Sequence, residues 1–93
     1  ISFIRMDMYN MIELLEKKLE ALKSEIPIKI GKRVKEIRKQ KGLTQTQLAE
    51  LVGKDRQYLY KIEKAVVTPN VVTISALAMA MEVPLKEFFN IEI

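Results

Sequence analysis

Residues 43–63 read LTQTQLAELVGKDRQYLYKIE, and this stretch decides the fold. Thr44 followed by Gln47 three residues later is the pattern of a capping box, in which the N-cap side chain and the side chain three residues later each bond to the other's backbone amide. Asp55 marks a second N-cap, and Gly53 before it supplies the backbone angle that a tight turn needs. The stretch therefore predicts two short helices that are joined by a turn.

The apolar residues of this stretch indicate which face of each helix is buried. Leu48 and Ala49 face inward on the first helix, and the small Ala49 allows the second helix to cross closely above it. Leu59 and Ile62 hold the second helix in place. The spacing then leaves four polar or aromatic side chains of the second helix facing outward, namely Arg56, Gln57, Tyr60 and Lys61.

Helical patterns also flank the central stretch. Apolar residues at helical spacing predict a helix over about 28–41, which Gly42 ends in the left-handed conformation. Asn70 caps a further helix, and Pro84 starts a last short one. Alternation of the kind that strands show is almost absent, so the predicted fold class is all-α.

A separate amphipathic helix is predicted over residues 8–26, because its apolar residues recur at alternating spacings of four and three. They are Met8, Ile12, Leu15, Leu19, Leu22 and Ile26. Pro27 is expected to end this helix, since the residue before a proline is pushed out of the α region. The chain is thus divided into an N-terminal segment, 1–27, and a domain, 28–93. The stripe either forms a dimer seam or folds back onto its own domain.

The basic residues are concentrated in the middle of the chain. Residues 29–64 contain eleven Lys and Arg against four acidic residues, a net charge of +7, while the whole chain carries +4. A domain with one basic face suggests a polyanionic partner. The alternative is that these charges only solvate helix surfaces.

The composition excludes several classes of function. The chain has no Cys and no His, which nearly excludes zinc ligation and catalysis by a thiol or an imidazole. No pair of carboxylates stands at a spacing that suggests a reaction site, so we expect no enzyme, no metal and no cofactor. The absence of Cys fits a reducing cytoplasm. No apolar run approaches the roughly 20 residues of a membrane span, so we expect no membrane partner.

These motifs together resemble the Xre/Cro family of phage-repressor-like helix-turn-helix regulators, over residues 30–89. The resemblance rests on the sequence motifs at residues 30–34 and 41–45, on the residue pairs at 48–49, 62–63 and 77–78, and on Pro69. It implies a five-helix repressor-like domain, here preceded by the amphipathic N-terminal helix. Two positions depart from the family pattern, since Ala65 and Glu82 stand where the family often has Gly. If either adopts positive φ, it costs roughly 1 kcal/mol.

The resemblance also implies roles for individual residues. The helix after Gly53 would enter the major groove of DNA and read bases with Arg56, Gln57, Tyr60 and Lys61. Phosphate contacts are assigned to Gln45, Lys54, Lys64 and Arg33. Arg38 and Glu63 match the family's buried ion pair, although two solvated charges are the alternative. Tyr60 could stack on a sugar or touch a thymine methyl, whereas Tyr58 is favoured as a packing residue.

The predicted function is a sequence-specific DNA-binding transcriptional regulator, either a repressor or an antitoxin-type autoregulator, that binds double-stranded DNA as a homodimer. The alternative is a protein-interaction module, or an antitoxin whose main partner is a toxin. The predicted dimer seam consists of Ile12, Leu15, Leu19 and Leu22.

The charges beside the predicted seam favour one orientation of the two helices. A parallel pair would set Lys18 against Lys23 of the partner subunit, which is repulsive. An antiparallel pair lets Glu16 meet the partner's Lys23 and lets Lys18 meet the partner's Glu25. We therefore expect the N-terminal helices to pack antiparallel.

Overall fold

The computed structural model describes residues 7–93, which form four α-helices and one 3₁₀ helix and contain no strand. The α-helices are α1 (Met8–Gln40), α2 (Gln45–Leu51), α3 (Arg56–Glu63) and α4 (Val71–Met81), and the 3₁₀ helix is Leu85–Phe89. The all-α prediction is confirmed. The first six residues of the predicted segment 1–27 lie outside the described residues.

The predicted break at Pro27 is wrong, because α1 runs through this residue as one helix of 33 residues. The two helices expected at 8–26 and 28–41 are therefore one element, and the count of five helices plus a preceding one does not hold. A proline inside a helix removes one hydrogen bond, yet its φ is compatible with helical backbone. Pro27 and Ile30 are buried and Ile26 packs against the core. Packing of this turn offsets the local preference for a break.

Caps and turn residues define α2 and α3 as the sequence predicts. The hydroxyl of Thr44 accepts a hydrogen bond from the Gln47 amide, and the Gln47 side chain accepts one from the Thr44 amide. The Asp55 carboxylate caps α3 by accepting from the amide of Tyr58. Gly53 has φ +70°, so the turn between the helices uses the left-handed conformation that glycine adopts without strain.

The core lies where α1, α2, α3, α4 and the 3₁₀ helix meet. Its fully buried larger side chains are Val34, Ile37, Leu48, Leu59, Ile62, Leu77 and Phe88. The C-terminal half of α1 supplies the first two of these and forms one wall of the domain. Burying such a side chain contributes roughly 1.5–3 kcal/mol, so the C-terminal half of α1 is anchored firmly.

A buried ion pair joins α1 to α3. The Nε and Nη2 atoms of Arg38 donate to the two carboxylate oxygens of Glu63 at 2.6 and 3.0 Å, and Nη1 donates to the carbonyl of Leu43 at 2.8 Å. Arg38 is 7% exposed and Glu63 8% exposed. The side-chain amide of Gln45 donates to the Glu63 carboxylate at 3.0 Å. One carboxylate therefore connects α1, α3 and the start of α2.

Gly31 lets α3 approach the backbone of α1. A Cβ atom at this position would lie 2.5 Å from the carbonyl oxygen of Ile62 and 2.9 Å from that of Glu63. Both atoms belong to the backbone and cannot move aside cheaply. Only glycine therefore permits this crossing, which sits seven residues before Arg38 on the same helix.

The N-terminal half of α1 projects from the domain. We call residues 8–26 of α1 the stem. Every residue from 8 to 21 is exposed, and the described chain measures 53 × 23 × 19 Å. The exposed large apolar side chains of the stripe are Met8 (72%), Ile12 (45%), Leu15 (59%) and Leu19 (52%). Among the described residues, α1 is long enough to cross a bilayer but too polar, and the other helices are too short.

The two non-glycine residues with positive φ are the two departures from the family pattern. Ala65 follows α3 with φ +59°, and Glu82 ends α4 with φ +55° and ψ +45°. An L-residue with a Cβ atom is strained in this conformation. The structure tolerates both residues without losing either helix end.

The ion pair generates the first prediction. Glu63→Ala is expected to destabilise the fold by ~3–5 kcal/mol, because it leaves the Arg38 guanidinium buried without its counter-charge. Denaturant unfolding followed by circular dichroism measures this change. Glu50→Ala, which removes an exposed carboxylate from α2, is the control and should change stability by less than ~0.5 kcal/mol. Equal small effects for the two variants would show that the pair contributes nothing.

The strained end of α4 generates the second prediction. Glu82→Gly is expected to stabilise the fold by ~1 kcal/mol, since glycine relieves the positive φ. Met79→Gly, at an exposed position inside the same helix, should instead destabilise by ~1 kcal/mol. Thermal unfolding of both variants beside the parent provides the measurement. A loss of stability in Glu82→Gly contradicts the assignment of strain.

Candidate nucleic-acid interface

The exposed face of α3 carries two polar side chains one turn apart. Gln57 and Lys61 are separated by four residues, so they lie on the same side of the helix, and both are exposed. They line an open concave surface of about 610 Å³, together with Gly53, Lys54, Asp55 and Tyr58. Amide and ammonium groups thus face the same open space at the start of α3.

Aromatic rings on α3 lie beside cationic side chains. The Arg56 guanidinium carbon is 5.8 Å from the centre of the Tyr60 ring, and the Lys54 ammonium is 5.5 Å from that of Tyr58. Cations within about 6 Å of a ring centre are attracted to its face. Tyr58 is half-buried and packs against the core, whereas Tyr60 is exposed. Arg56 and Tyr60 therefore present a paired surface on α3.

A second groove lies between α1, the start of α2 and the end of α3. It has a volume of about 290 Å³ and is lined by Ile28, Lys32, Lys35, Gln45, Glu63, Lys64 and Ala65. Two residues with predicted phosphate roles, Gln45 and Lys64, are brought together here. Lys32 and Lys35 are not among the residues predicted from the sequence to bind phosphate. The basic run on α1 contains both lysines, but only the fold shows which lysines of this run face the groove.

Gln45 is held in place by the ion pair beneath the groove. Its Nε2 donates to Glu63 Oε1, the same oxygen that accepts from Arg38 Nη2. The backbone of Gln45 opens α2 directly after the Thr44 cap. The buried carboxylate therefore sets the position of the first side chain of α2.

Arg33, predicted to contact phosphate, does not join these surfaces. Its Nη2 lies 3.0 Å from a Glu87 carboxylate oxygen, its Nη1 lies 3.1 Å from Glu36, and its Nε donates to the Glu87 carbonyl at 2.6 Å. The side chain is 16% exposed. Two carboxylates therefore already compensate the charge of Arg33, and its contact to phosphate stays a prediction.

The other basic residues of the middle segment keep their charges uncompensated. Within the described part of the chain, nine of the eleven Lys and Arg in residues 29–64 have no carboxylate at ion-pair distance: Lys29, Lys32, Lys35, Lys39, Lys41, Lys54, Arg56, Lys61 and Lys64. The pair between Arg38 and Glu63 contributes no net charge. The domain thus presents strong positive charge around the grooves, which suits a polyanion.

Comparison with known proteins identifies the fold. A helix-turn-helix family model (HTH_3) matches residues 34–88. The chain is 44% identical over 52 residues to the immunity repressor protein of Bacillus phage phi105, a match that covers 56% of this chain and 36% of that protein. It is 40% identical over 60 residues to the HTH-type transcriptional regulator PuuR of Escherichia coli, covering 64% and 32%. The chain thus spans about a third of the length of these relatives.

A solved structure shows the same fold over almost its whole length. The crystal structure of the restriction-modification controller protein C.AhdI from Aeromonas hydrophila superposes with a TM-score of 0.68 at 35% identity, covering 73% of this chain and 97% of that chain. The three relatives are described as a repressor, a transcriptional regulator and a controller protein, not as enzymes. Because the family model matches more than half of the sequence, the chain belongs to the helix-turn-helix family HTH_3, of the Xre/Cro type that its motifs resemble.

Proposed function

We propose that this chain is a sequence-specific DNA-binding transcriptional regulator, a repressor or an antitoxin-type autoregulator, that reads the major groove with α3 as a homodimer. One observation carries the proposal: Gln57 and Lys61 project from one face of α3 into the same open concavity, next to uncompensated basic residues. An α-helix fits the major groove, and the polar side chains on its outer face reach the base edges. Family membership and the names of the relatives support the same reading.

Specificity is assigned to four side chains of α3. The Gln57 amide suits the N6 and N7 atoms of adenine, and Arg56 suits the O6 and N7 atoms of guanine. Lys61 can donate to guanine from the next turn of α3. Tyr60, which lies beside Arg56, is placed to contact a sugar or a thymine methyl.

Affinity is assigned to the basic groove and to the turn before α3. Gln45, Lys64, Lys32 and Lys35 line the groove, and Lys54 precedes the Asp55 cap of α3. Contacts to phosphate position a protein on DNA without reading its sequence. Each phosphate that is neutralised releases counterions, which makes binding fall steeply as salt rises.

Homodimerisation would bring two copies of α3 to one operator. The seam is assigned to the stem, through Ile12, Leu15, Leu19 and Leu22. Half-sites recognised by a symmetric dimer lie about 34 Å apart, or at a multiple of that distance. The operator is accordingly expected to be an inverted repeat.

A second candidate function is favoured by the exposed apolar residues of the stem. In this case the stem binds another protein, such as a toxin, and binding to DNA is secondary or lost. Salt dependence separates the two candidates, since contacts to phosphate weaken steeply with salt whereas an apolar protein contact does not.

The base-reading assignment gives the third prediction. Selection from a random DNA pool should yield one preferred site, on which Gln57→Ala and Arg56→Ala each lose ~1–3 kcal/mol of binding free energy. Both variants should keep the affinity of the parent for random DNA. Titration with fluorescent duplexes measures both quantities, and Lys86→Ala on the 3₁₀ helix is the control. No enrichment in the selection contradicts the proposal, and equal losses on both DNAs reassign the two residues to phosphate.

The basic groove gives the fourth prediction. Lys35→Ala and Lys64→Ala should each weaken binding to all sequences alike and reduce the slope of log K against log salt by about 1. Affinities measured across a salt series provide the slope. Lys86 on the 3₁₀ helix, which lines neither groove, supplies the matched control, and its replacement by Ala should leave the slope unchanged. A loss confined to the selected site would instead indicate that the groove reads bases.

A further inference from the structure

We infer that the stem is covered by the stem of a second copy of this chain, in an antiparallel arrangement whose two-fold axis passes beside Lys17. The inference rests on the homodimer part of the proposed function, with its seam on the stem, and adds the register of the two helices and a structural reason for their orientation. It depends on three observations. The apolar stripe of the stem is exposed, the heptad positions after Ile26 are the charged residues Lys29 and Arg33, and the C-terminal segment of the chain contacts these two residues.

The apolar stripe of the stem has little cover within the described chain. Every residue from 8 to 21 is exposed, and the four stripe residues among them, Met8, Ile12, Leu15 and Leu19, are 45–72% exposed. Most of the stability of a helix in a protein comes from packing of its apolar face. The stripe therefore needs a cover, and its heptad spacing matches that of a partner helix with the same spacing.

The stripe ends where the C-terminal segment begins to lie on it. The positions that continue the heptad spacing after Ile26 are Lys29 and Arg33. Lys29 donates to the carbonyl of Glu92, and Arg33 binds Glu87. The side of α1 that faces the seam is therefore occupied beyond Ile26, and Ile93 shares a groove with Leu22 and Glu25 on one flank of the stripe. A partner helix that follows the stripe meets the C-terminal segment at this end.

This obstruction disfavours a parallel pair. In a parallel arrangement both domains lie at the same end of the seam, and both C-terminal segments lie between the two α1 helices. The same arrangement sets Lys18 against Lys23 of the partner subunit, at two equivalent places. An antiparallel pair places the domains at opposite ends and removes both conflicts.

The obstruction also sets the register. Pairing Glu16 with the partner's Lys23 and Lys18 with the partner's Glu25 at the same time requires an axis between Glu20 and Ala21. This axis places the first two turns of the partner's stem against Lys29 and Arg33. With the axis beside Lys17, the stripe overlaps itself over its full length in six layers. Met8 of the partner subunit then lies against Ile26, at the edge of the C-terminal segment.

The groove at the base of the stem fits this register. It has a volume of about 420 Å³ and is lined by Leu19, Leu22, Lys23, Ile26, Pro27 and Thr68. In the full overlap, the partner's Ile12 and the partner's Met8 lie against Leu22 and Ile26 and fill it. Lys23 then faces the ring of the partner's Tyr9, an attractive pairing of a cation with an aromatic face.

Like charges meet beside the axis, which makes the register testable. Glu16 meets the partner's Glu16, and Lys18 meets the partner's Lys18 on the other side of the seam. These contacts are exposed, so their repulsion is weak compared with the burial of two additional apolar layers, one at each end of the seam. The charge pairs expected from the sequence, Glu16 with Lys23 and Lys18 with Glu25, are not part of this arrangement.

The register also bears on the operator. Gly31 and Arg38, which hold α3, lie 14 and 21 residues beyond Lys17. At ~1.5 Å per residue the two copies of α3 are separated by roughly 42–63 Å along the seam. This range lies between one turn of DNA, about 34 Å, and two turns, about 68 Å.

Disulfide trapping of single-cysteine variants of this chain tests the inference, because its 93 residues contain no Cys. In the full overlap, two copies of residue 16 are offset by only ~3 Å along the seam, against ~14 Å for an axis between residues 20 and 21. Glu16→Cys should therefore form a covalent dimer on mild oxidation. Glu13→Cys, on the outer side of the stem, is the control and should stay monomeric on a denaturing gel.

Sedimentation equilibrium without DNA supplies the second readout. Glu16→Gln should tighten the dimer about 1.5- to 5-fold by removing the like-charge contact, and Leu15→Lys should weaken it by at least about tenfold. If Glu16→Cys cross-links only when mixed with Lys23→Cys, or Glu16→Gln weakens the dimer, the register is wrong. A parent chain that is monomeric at high micromolar concentration overturns the seam and the homodimer together. The DNA selection and the Gln57 and Arg56 variants test DNA binding separately.

Discussion

The attachment of α3 to α1 is the constraint on which the candidate interface depends. Arg38 and Glu63 make a two-pronged ion pair inside the domain, and Gly31 removes the side chain that would keep the two backbones apart. Taking both charges out of water is costly, so the pair fixes a geometry more than it adds stability. Because the same carboxylate also binds Gln45, one interaction sets the crossing of α3 and the start of α2.

The part of the fold that sequence reasoning predicted is the part that short-range chemistry determines. The caps at Thr44 and Asp55 and the turn at Gly53 act within three or four residues, and α2 and α3 begin where these residues place them. Pro27 was misread because its effect depends on distant packing. The local preference favours a helix end, whereas the burial of this turn against the core keeps α1 continuous.

The candidate site shows the same division. The outward positions of α3 follow from helical spacing, so the sequence alone predicts that Gln57 and Lys61 are exposed. The ion pair of Arg33 could not be predicted in this way, because its partner, Glu87, lies 54 residues away in the chain. Lys32 and Lys35 were missed for a related reason: a basic run on one helix does not show which of its members face a groove that α2 and α3 complete.

The continuity of α1 has a consequence for how such a chain can change in evolution. A helix turns by about 100° per residue, so inserting or deleting one residue between the stem and the domain rotates the apolar stripe away from its former direction. Seven residues restore the direction to within ~20°. Inserting seven residues would therefore move the stem away from the domain along the helix axis while nearly conserving the angular relation between them.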